Sequence, residues 1–323
     1  MTARPMIDLH RHLEGTLRPS QLVEAARRSG LPTPTPRQIR ERVVAPETVD
    51  SLRSYLTYID NAAAYLRSLE DWRVAGDNAV QDAFDGGLDY VELRFSPWFI
   101  SSQTGLDPNA VVEAIDDGII AGSLRTGLPV GKIAIVVRDL GADSAHKQMD
   151  TILASPDVWC AVDMAGNEQG FALEDFAPAF ARARDAGMHV TIHAGEAGGP
   201  ENVRVAVTEL GAERIGHGVR SAEDPELMEL LAERGVTLET ALTSNVQTAA
   251  SPSLAEHQVH ALLSAGVPVT LNTDNPTTSA TDLRYEYRRG AVEAGLSPEL
   301  LDLVARNAAQ AAFTEAGRGL ADF

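Results

Sequence analysis

The sequence predicts an α/β fold: a (β/α)8 barrel of the TIM type, with extra helices in its first βα connection. Three observations carry that expectation. Eight short β-rich runs recur along the 323 residues with helical stretches between them, the pattern of parallel βα units. Many of these runs are almost continuously apolar, as strands buried on both faces are. The first run leads into LHRHLEGT, where an open doubly wound sheet would usually place a glycine-rich phosphate loop.

Taken in order, the predicted strands cover residues 6–10, 89–95, 132–137, 158–163, 189–193, 213–216, 236–240 and 267–272. Helical periodicity appears at 22–28, 111–124, 176–186, 202–210, 225–234 and 254–265. Gly30, Gly87, Gly187, Gly235 and Gly266 stand where helix C-caps belong. The stretch from Pro19 to Gly87 is long for one connection and rich in helical pattern, so it reads as several helices that partly cover the barrel mouth. PTPTPRQ, at 32–38, reads as a turn entering a helix. No Gly/Ser-rich or Pro-rich linker divides the chain, and a single domain over 1–323 is expected.

Composition narrows the function classes. Hydrophobic residues make up 44% and charged residues 23%, the mix of a soluble globular protein. No apolar run approaches the length of about 18 residues that a membrane span needs, so no membrane partner is expected. MTARPMIDLH carries no apolar signal-peptide core. The single cysteine, Cys160, sits in the apolar run VWCAVDM and excludes an intrachain disulfide framework. A cytoplasmic protein is the expectation. The formal net charge of −19 opposes binding to a nucleic-acid backbone, which takes a basic surface.

Polar, metal-competent residues cluster at the carboxyl ends of separate strands, where barrel active sites are built. His10 and His12 follow strand one, and period-two alternation turns both to the same side. His193 and Glu196 end strand five, His217 ends strand six between two glycines, and Asp274 ends strand eight. Any one of these alone reads as a polar loop residue or a cap; four such coincidences at four strand ends favour a site. Three imidazoles and one carboxylate suit Zn2+ with a position left for water, whose pKa falls from about 15.7 toward about 7. One cysteine cannot build a thiolate-rich zinc site or a Pro-Cys-x-x-Cys element.

DLHRHLEGTLRP, DYVELRFSP, VDMAGNE, TIHAGEAGGPENV, GAERIGHGV, TSNVQT and NTDNP follow one another along nearly the whole chain. In this order they resemble the adenosine deaminase family, within the metal-dependent amidohydrolase barrels. The resemblance implies a zinc-dependent aminohydrolase of purine metabolism and salvage. It would convert adenosine or 2′-deoxyadenosine, a small-molecule purine nucleoside, to inosine or 2′-deoxyinosine plus ammonia by addition of metal-activated hydroxide at C6. It implies one Zn2+ per chain on His10, His12, His193 and Asp274, with His12 also facing the substrate. It implies Glu196 as the acid that protonates N1, and His217 as the group that orients the water and stabilises charge. Gly166 resembles the backbone donor to N3.

Three residues depart from the family pattern. Asn275 stands where a second aspartate usually contacts N7, and its NH2 can donate to that nitrogen. Glu14 stands where an aspartate is associated with the ribose 5′-hydroxyl, and Asn167 replaces another aspartate. These positions leave open another 6-aminopurine, adenine or a 5′-modified adenosine, and a non-catalytic nucleoside-binding relative. Outside the site, Glu92 and Arg94 read as a structural ion pair. Asn245 reads as a loop organiser through side-chain to backbone bonds. His146, His189, His257 and His260 read as ordinary polar or surface histidines, and Tyr55, Leu56 and Ile59 as a core-facing helix surface.

Overall fold

Alternation along the strands builds this molecule. On β2 (Tyr90–Phe95), Val91, Leu93 and Phe95 point outward into one continuous apolar layer, while Glu92 and Arg94 point into the barrel. The structure, a computed structural model, describes residues 4–322. It contains β1 (Ile7–His12), β2, β3 (Val130–Val137), β4 (Ala161–Ala165), β5 (His189–Ala194), β6 (Arg214–His217), β7 (Thr237–Thr240) and β8 (Val269–Leu271). Each strand pairs in parallel with the next, in sequence order. The last meets the first just past β8: His12 N–H donates to the Asp274 carbonyl and Asp274 N–H to the His10 carbonyl, both at 2.8 Å. The predicted barrel is present.

Differences from the predicted bounds have local causes. The fourth strand begins at Ala161, because Pro156–Val158 forms a 3-10 turn and Trp159 N–H bonds back to the Pro156 carbonyl. The first extends to His12, so both of its histidines lie on the strand. The last predicted helix shrinks to Val259–Ser264, since residues before it form turns in which the His257 ring accepts the Val259 N–H.

Four helices fill the first connection: α1 (Pro19–Arg28), α2 (Pro36–Val43), α3 (Leu52–Ala63) and α4 (Leu69–Asp85). The PTPTPRQ turn ends in a capping box between Thr35 and Gln38, and Ser51 and Ser68 cap α3 and α4. Helix α3 lies across the carboxyl end of the barrel, with Tyr55 OH bonded to Ser279 Oγ at 2.5 Å. Among the described residues, no helix is long and apolar enough to cross a membrane.

Charge fills the barrel interior. Arg94 reaches Asp163 at 2.9 Å and Glu239 at 2.8 Å, while Arg214 reaches Glu92 and Glu239, both at 2.6 Å. Glu92 and Arg94 are therefore in structural ion pairs, though not with each other. Two residues apart on one strand they occupy successive layers, and each is matched across the barrel.

Candidate active site

The ends of β1 and β5 and the turn after β8 bring four side chains to one point. His10 Nε2 lies 3.2 Å from His12 Nε2, which lies 3.1 Å from His193 Nε2. Asp274 Oδ1 is 3.4 Å from the Nε2 atoms of both His10 and His12. All four donor atoms fall within 4.8 Å of one another, a group able to hold a metal ion. The rings are held from behind. His10 Nδ1 meets Glu239 Oε2 at 2.8 Å, and His193 Nδ1 meets Asp163 Oδ1 at 3.1 Å. A carboxylate on Nδ1 keeps the proton there and turns the Nε2 lone pair inward, as a metal site requires. Burial also pulls the His12 and His193 imidazoles below their usual pKa, toward the neutral ligand form. Three imidazoles and one carboxylate suit zinc.

Glu196 and His217 stand beside this group. His217 Nε2 is 3.6 Å from Glu196 Oε2, and Thr248 Oγ1 donates to Glu196 Oε1 at 2.8 Å. Burial, with the charge of Asp274 adding to it, pushes the Glu196 carboxyl up to about 8, so it is a proton carrier at neutral pH. His217 and Asp274 occupy left-handed backbone at φ 62° and 58°, a conformation that costs energy in non-glycine residues and concentrates at functional sites. One short helix, Leu242–Gln247, and the residue after it serve three of these groups. Ser244 Oγ donates to Asp274 Oδ2 at 2.6 Å, Asn245 Nδ2 meets His217 Nδ1 at 2.9 Å, and Thr248 holds Glu196.

A cavity of about 310 Å³ opens above them. His12, His193, Glu196, His217 and Asp274 line it, with Glu14, Gly166 and Asn275. Leu52, Tyr55, Leu56 and Ile59 of α3 and Phe99 add apolar surface. Glu14 Oε1 accepts the Ser96 N–H at 2.9 Å, while its buried Oε2 has no partner among the described residues; burial pushes this carboxyl up to about 7. Gly166, at φ 110°, admits no side chain: a Cβ there would lie 2.1 Å from Asp139 Oδ2. Asn275 Oδ1 is buried without a hydrogen-bond partner among the described residues and is turned to Gly15, where a Cβ would come within 1.9 Å of it. Asn167 is not among the lining residues; its Oδ1 accepts the Gln169 N–H at 3.3 Å.

The adenosine deaminase family model matches residues 5–321. The chain belongs to the adenosine deaminase family. It is 42% identical over 311 residues to the adenosine deaminase of Edwardsiella ictaluri, covering 96% of this chain and 93% of that one. It is 40% identical to that of Serratia proteamaculans, with 96% and 94% covered. Among solved structures, the adenine deaminase of Arthrobacter aurescens superposes with a TM-score of 0.91 at 26% identity, covering 99% of this chain and 98% of that one. An Arabidopsis N6-mAMP deaminase does so at 0.84 and 26%, with 98% and 96% covered.

Within this family frame, every site residue expected from the sequence lies in or against one cavity. Several that matter to its geometry were not expected. Asn245 bonds to a side chain, His217, where side-chain to backbone bonds were predicted; its place on a helix facing the barrel mouth explains the change. His257 is 5% exposed and its Nε2 meets Asn245 Oδ1 at 3.3 Å, so it is not an ordinary surface histidine. His189 pairs with Glu213 at 2.9 Å, and His146 and His260 are exposed, as expected. Tyr55, Leu56 and Ile59 line the cavity, because α3 crosses the mouth; only Tyr55 of the three is buried, so the core-facing expectation fails for Leu56 and Ile59. Asp163 carries a signal in VDM, a single carboxylate on an otherwise apolar strand, and Glu239 in TLET is the single charged residue of its strand. Glu168 carries none that spacing reveals.

Proposed function

We propose that this protein deaminates adenosine and 2′-deoxyadenosine to inosine and 2′-deoxyinosine, releasing ammonia, with one zinc ion on His10, His12, His193 and Asp274. The observation that carries this reading is a buried Glu196, its carboxyl pushed up to about 8, beside a three-histidine, one-aspartate cluster, inside a cavity of about 310 Å³. Zinc, when bound, supplies Lewis-acid charge that acidifies water toward a pKa of about 7. Glu196 delivers its proton to N1 as oxygen adds at C6, which makes the ring accept the electron pair. His217 holds the oxygen, the Gly166 N–H is the donor to N3, and the Asn275 NH2 donates to N7. Glu14 offers its unpartnered oxygen to the 5′ end of the sugar, and α3 with Phe99 shields the site from water. Departure of the amino group as ammonia leaves the 6-oxopurine.

A second reading, free adenine as substrate, is favoured by the likeness to an adenine deaminase structure. The higher identity to adenosine deaminases favours the nucleoside. A panel of adenosine, deoxyadenosine, adenine, 5′-substituted adenosines and AMP, read by absorbance and ammonia release, separates the two. Turnover of adenine alone would overturn the nucleoside assignment. Glu196→Gln is expected to keep fold and metal and to lose roughly 10²–10⁴ in kcat, since glutamine carries no transferable proton. In the parent protein the acid form is the active one, so kcat/KM should fall as pH rises toward and through about 8. The positive metal ion shifts that alkaline limb downward. A glutamine variant with parental kcat would assign the proton to another group.

A further inference from the structure

Behind His217 runs a chain of buried hydrogen bonds that the reaction described above does not use. It begins at a backbone amide. The Val259 N–H lies 3.0 Å from His257 Nδ1, and an amide can only donate, so this ring nitrogen is the acceptor. A neutral imidazole that accepts at Nδ1 carries its proton on Nε2. That nitrogen faces Asn245 Oδ1 at 3.3 Å and donates to it. The orientation of the Asn245 amide follows, and its NH2 donates to His217 Nδ1 at 2.9 Å. His217 accepts there, so its proton sits on Nε2, the nitrogen that faces Glu196 and the cavity.

Every member is shielded from solvent: His257 is 5% exposed, Asn245 0% and His217 1%. Burial pushes His257 down to about 3, so it stays neutral across the working range of pH and the direction of the chain does not reverse.

We infer that His257 and Asn245 are positioning residues that fix His217 as an Nε2–H donor to the reacting oxygen. His217 then stabilises negative charge on that oxygen by donation and takes up no proton at Nε2, which is already occupied. In a low-dielectric pocket a fixed donor aimed at developing charge is worth more than a mobile one. The inference rests on the reading that His217 faces the reacting oxygen, and its test does not depend on turnover alone.

Long-range proton–nitrogen NMR of zinc-loaded protein labelled with 15N-histidine reads the tautomers directly. Both His257 and His217 are expected as Nε2–H forms; His217 protonated on Nδ1 with a free Nε2 overturns the inference. Asn245→Asp replaces the donor with an acceptor-only carboxylate, which draws a proton onto His217 Nδ1 and reverses its tautomer. With zinc content and KM close to the parent values, kcat should fall about 100-fold. His257→Phe removes the donor to Asn245 and should lower kcat about 10-fold or more at unchanged zinc content, with His257→Gln, which keeps an N–H donor, recovering part of the loss. Parental kcat in His257→Phe, with the His217 tautomer unchanged, overturns the inference even if Asn245→Asp folds poorly. Failure of the nucleoside assignment would show in the substrate panel and leave the tautomers as they are.

Discussion

Asn275 follows Asp274 in sequence and shares its cavity, yet its amide has no charge to add beside the metal ligands. Its oxygen lies toward Gly15, and in the proposed reading the NH2 is the group offered to the purine. An amide donor suits an unprotonated N7 in the ground state and cannot take up a proton as the adduct forms. A neutral hydrogen bond is worth about 0.5–1.5 kcal/mol and one to a charged group about 1.5–3 kcal/mol. Asn275→Asp should therefore raise kcat/KM on adenosine by about tenfold, since about 1.4 kcal/mol is a factor of ten. On 7-deazaadenosine, which offers no N7, the gain should vanish. Equal rates for both proteins on both compounds would remove Asn275 from the substrate contacts.

At the scale of one loop, the turn from Gly195 to Gly198 that carries Glu196 is organised by a side chain from elsewhere in the sequence. Glu168 accepts the N–H groups of Gly195, Glu196, Ala197 and Gly198 at 2.6, 3.0, 2.7 and 2.7 Å, with Asn202 Nδ2 at 3.2 Å. Four successive amides around one carboxyl group form an anion nest. Close approach explains the glycine at 198, where a Cβ would lie 2.6 Å from Glu168 Oε1. Glu168→Gln turns one acceptor into a donor facing N–H groups. The loop should loosen, with kcat falling about 100-fold, the cost of misplacing a catalytic group by about 1 Å, and metal content unchanged. Stoichiometric metal with parental kcat would show that the nest does not position Glu196. The sequence revealed which residues end the strands, because strand and chemistry lie next to each other in HAGE, GHG and NTD. Glu168, His257 and Asn245 were misread or missed because these partners lie 12 to 34 residues away and depend on how loops cross.

For the whole molecule, eight strands were legible because βα alternation is a local pattern repeated along the chain. The charged barrel interior was not, since Arg94, Asp163, Arg214 and Glu239 meet only after closure. The proposed ligands come from β1, β5 and the turn after β8, so a bound ion ties distant parts of the chain together. At a metal concentration a thousandfold above Kd, binding adds about 4 kcal/mol of stability. Chelation to verified metal-free protein is therefore expected to lower Tm by roughly 5–10 °C, with recovery on adding zinc. An unchanged Tm would mean that the four side chains hold no ion. The seam that closes the barrel, where His10 and His12 bond to Asp274 through their backbones, also has a consequence for synthesis. Asp274 leaves the ribosome long after His10 and His12. At about 5–20 residues per second, the first two wait on the order of tens of seconds for their partner. A chain released before β8 would lack the turn that carries Asp274, and with it one of the four proposed ligands and the strand that closes the barrel.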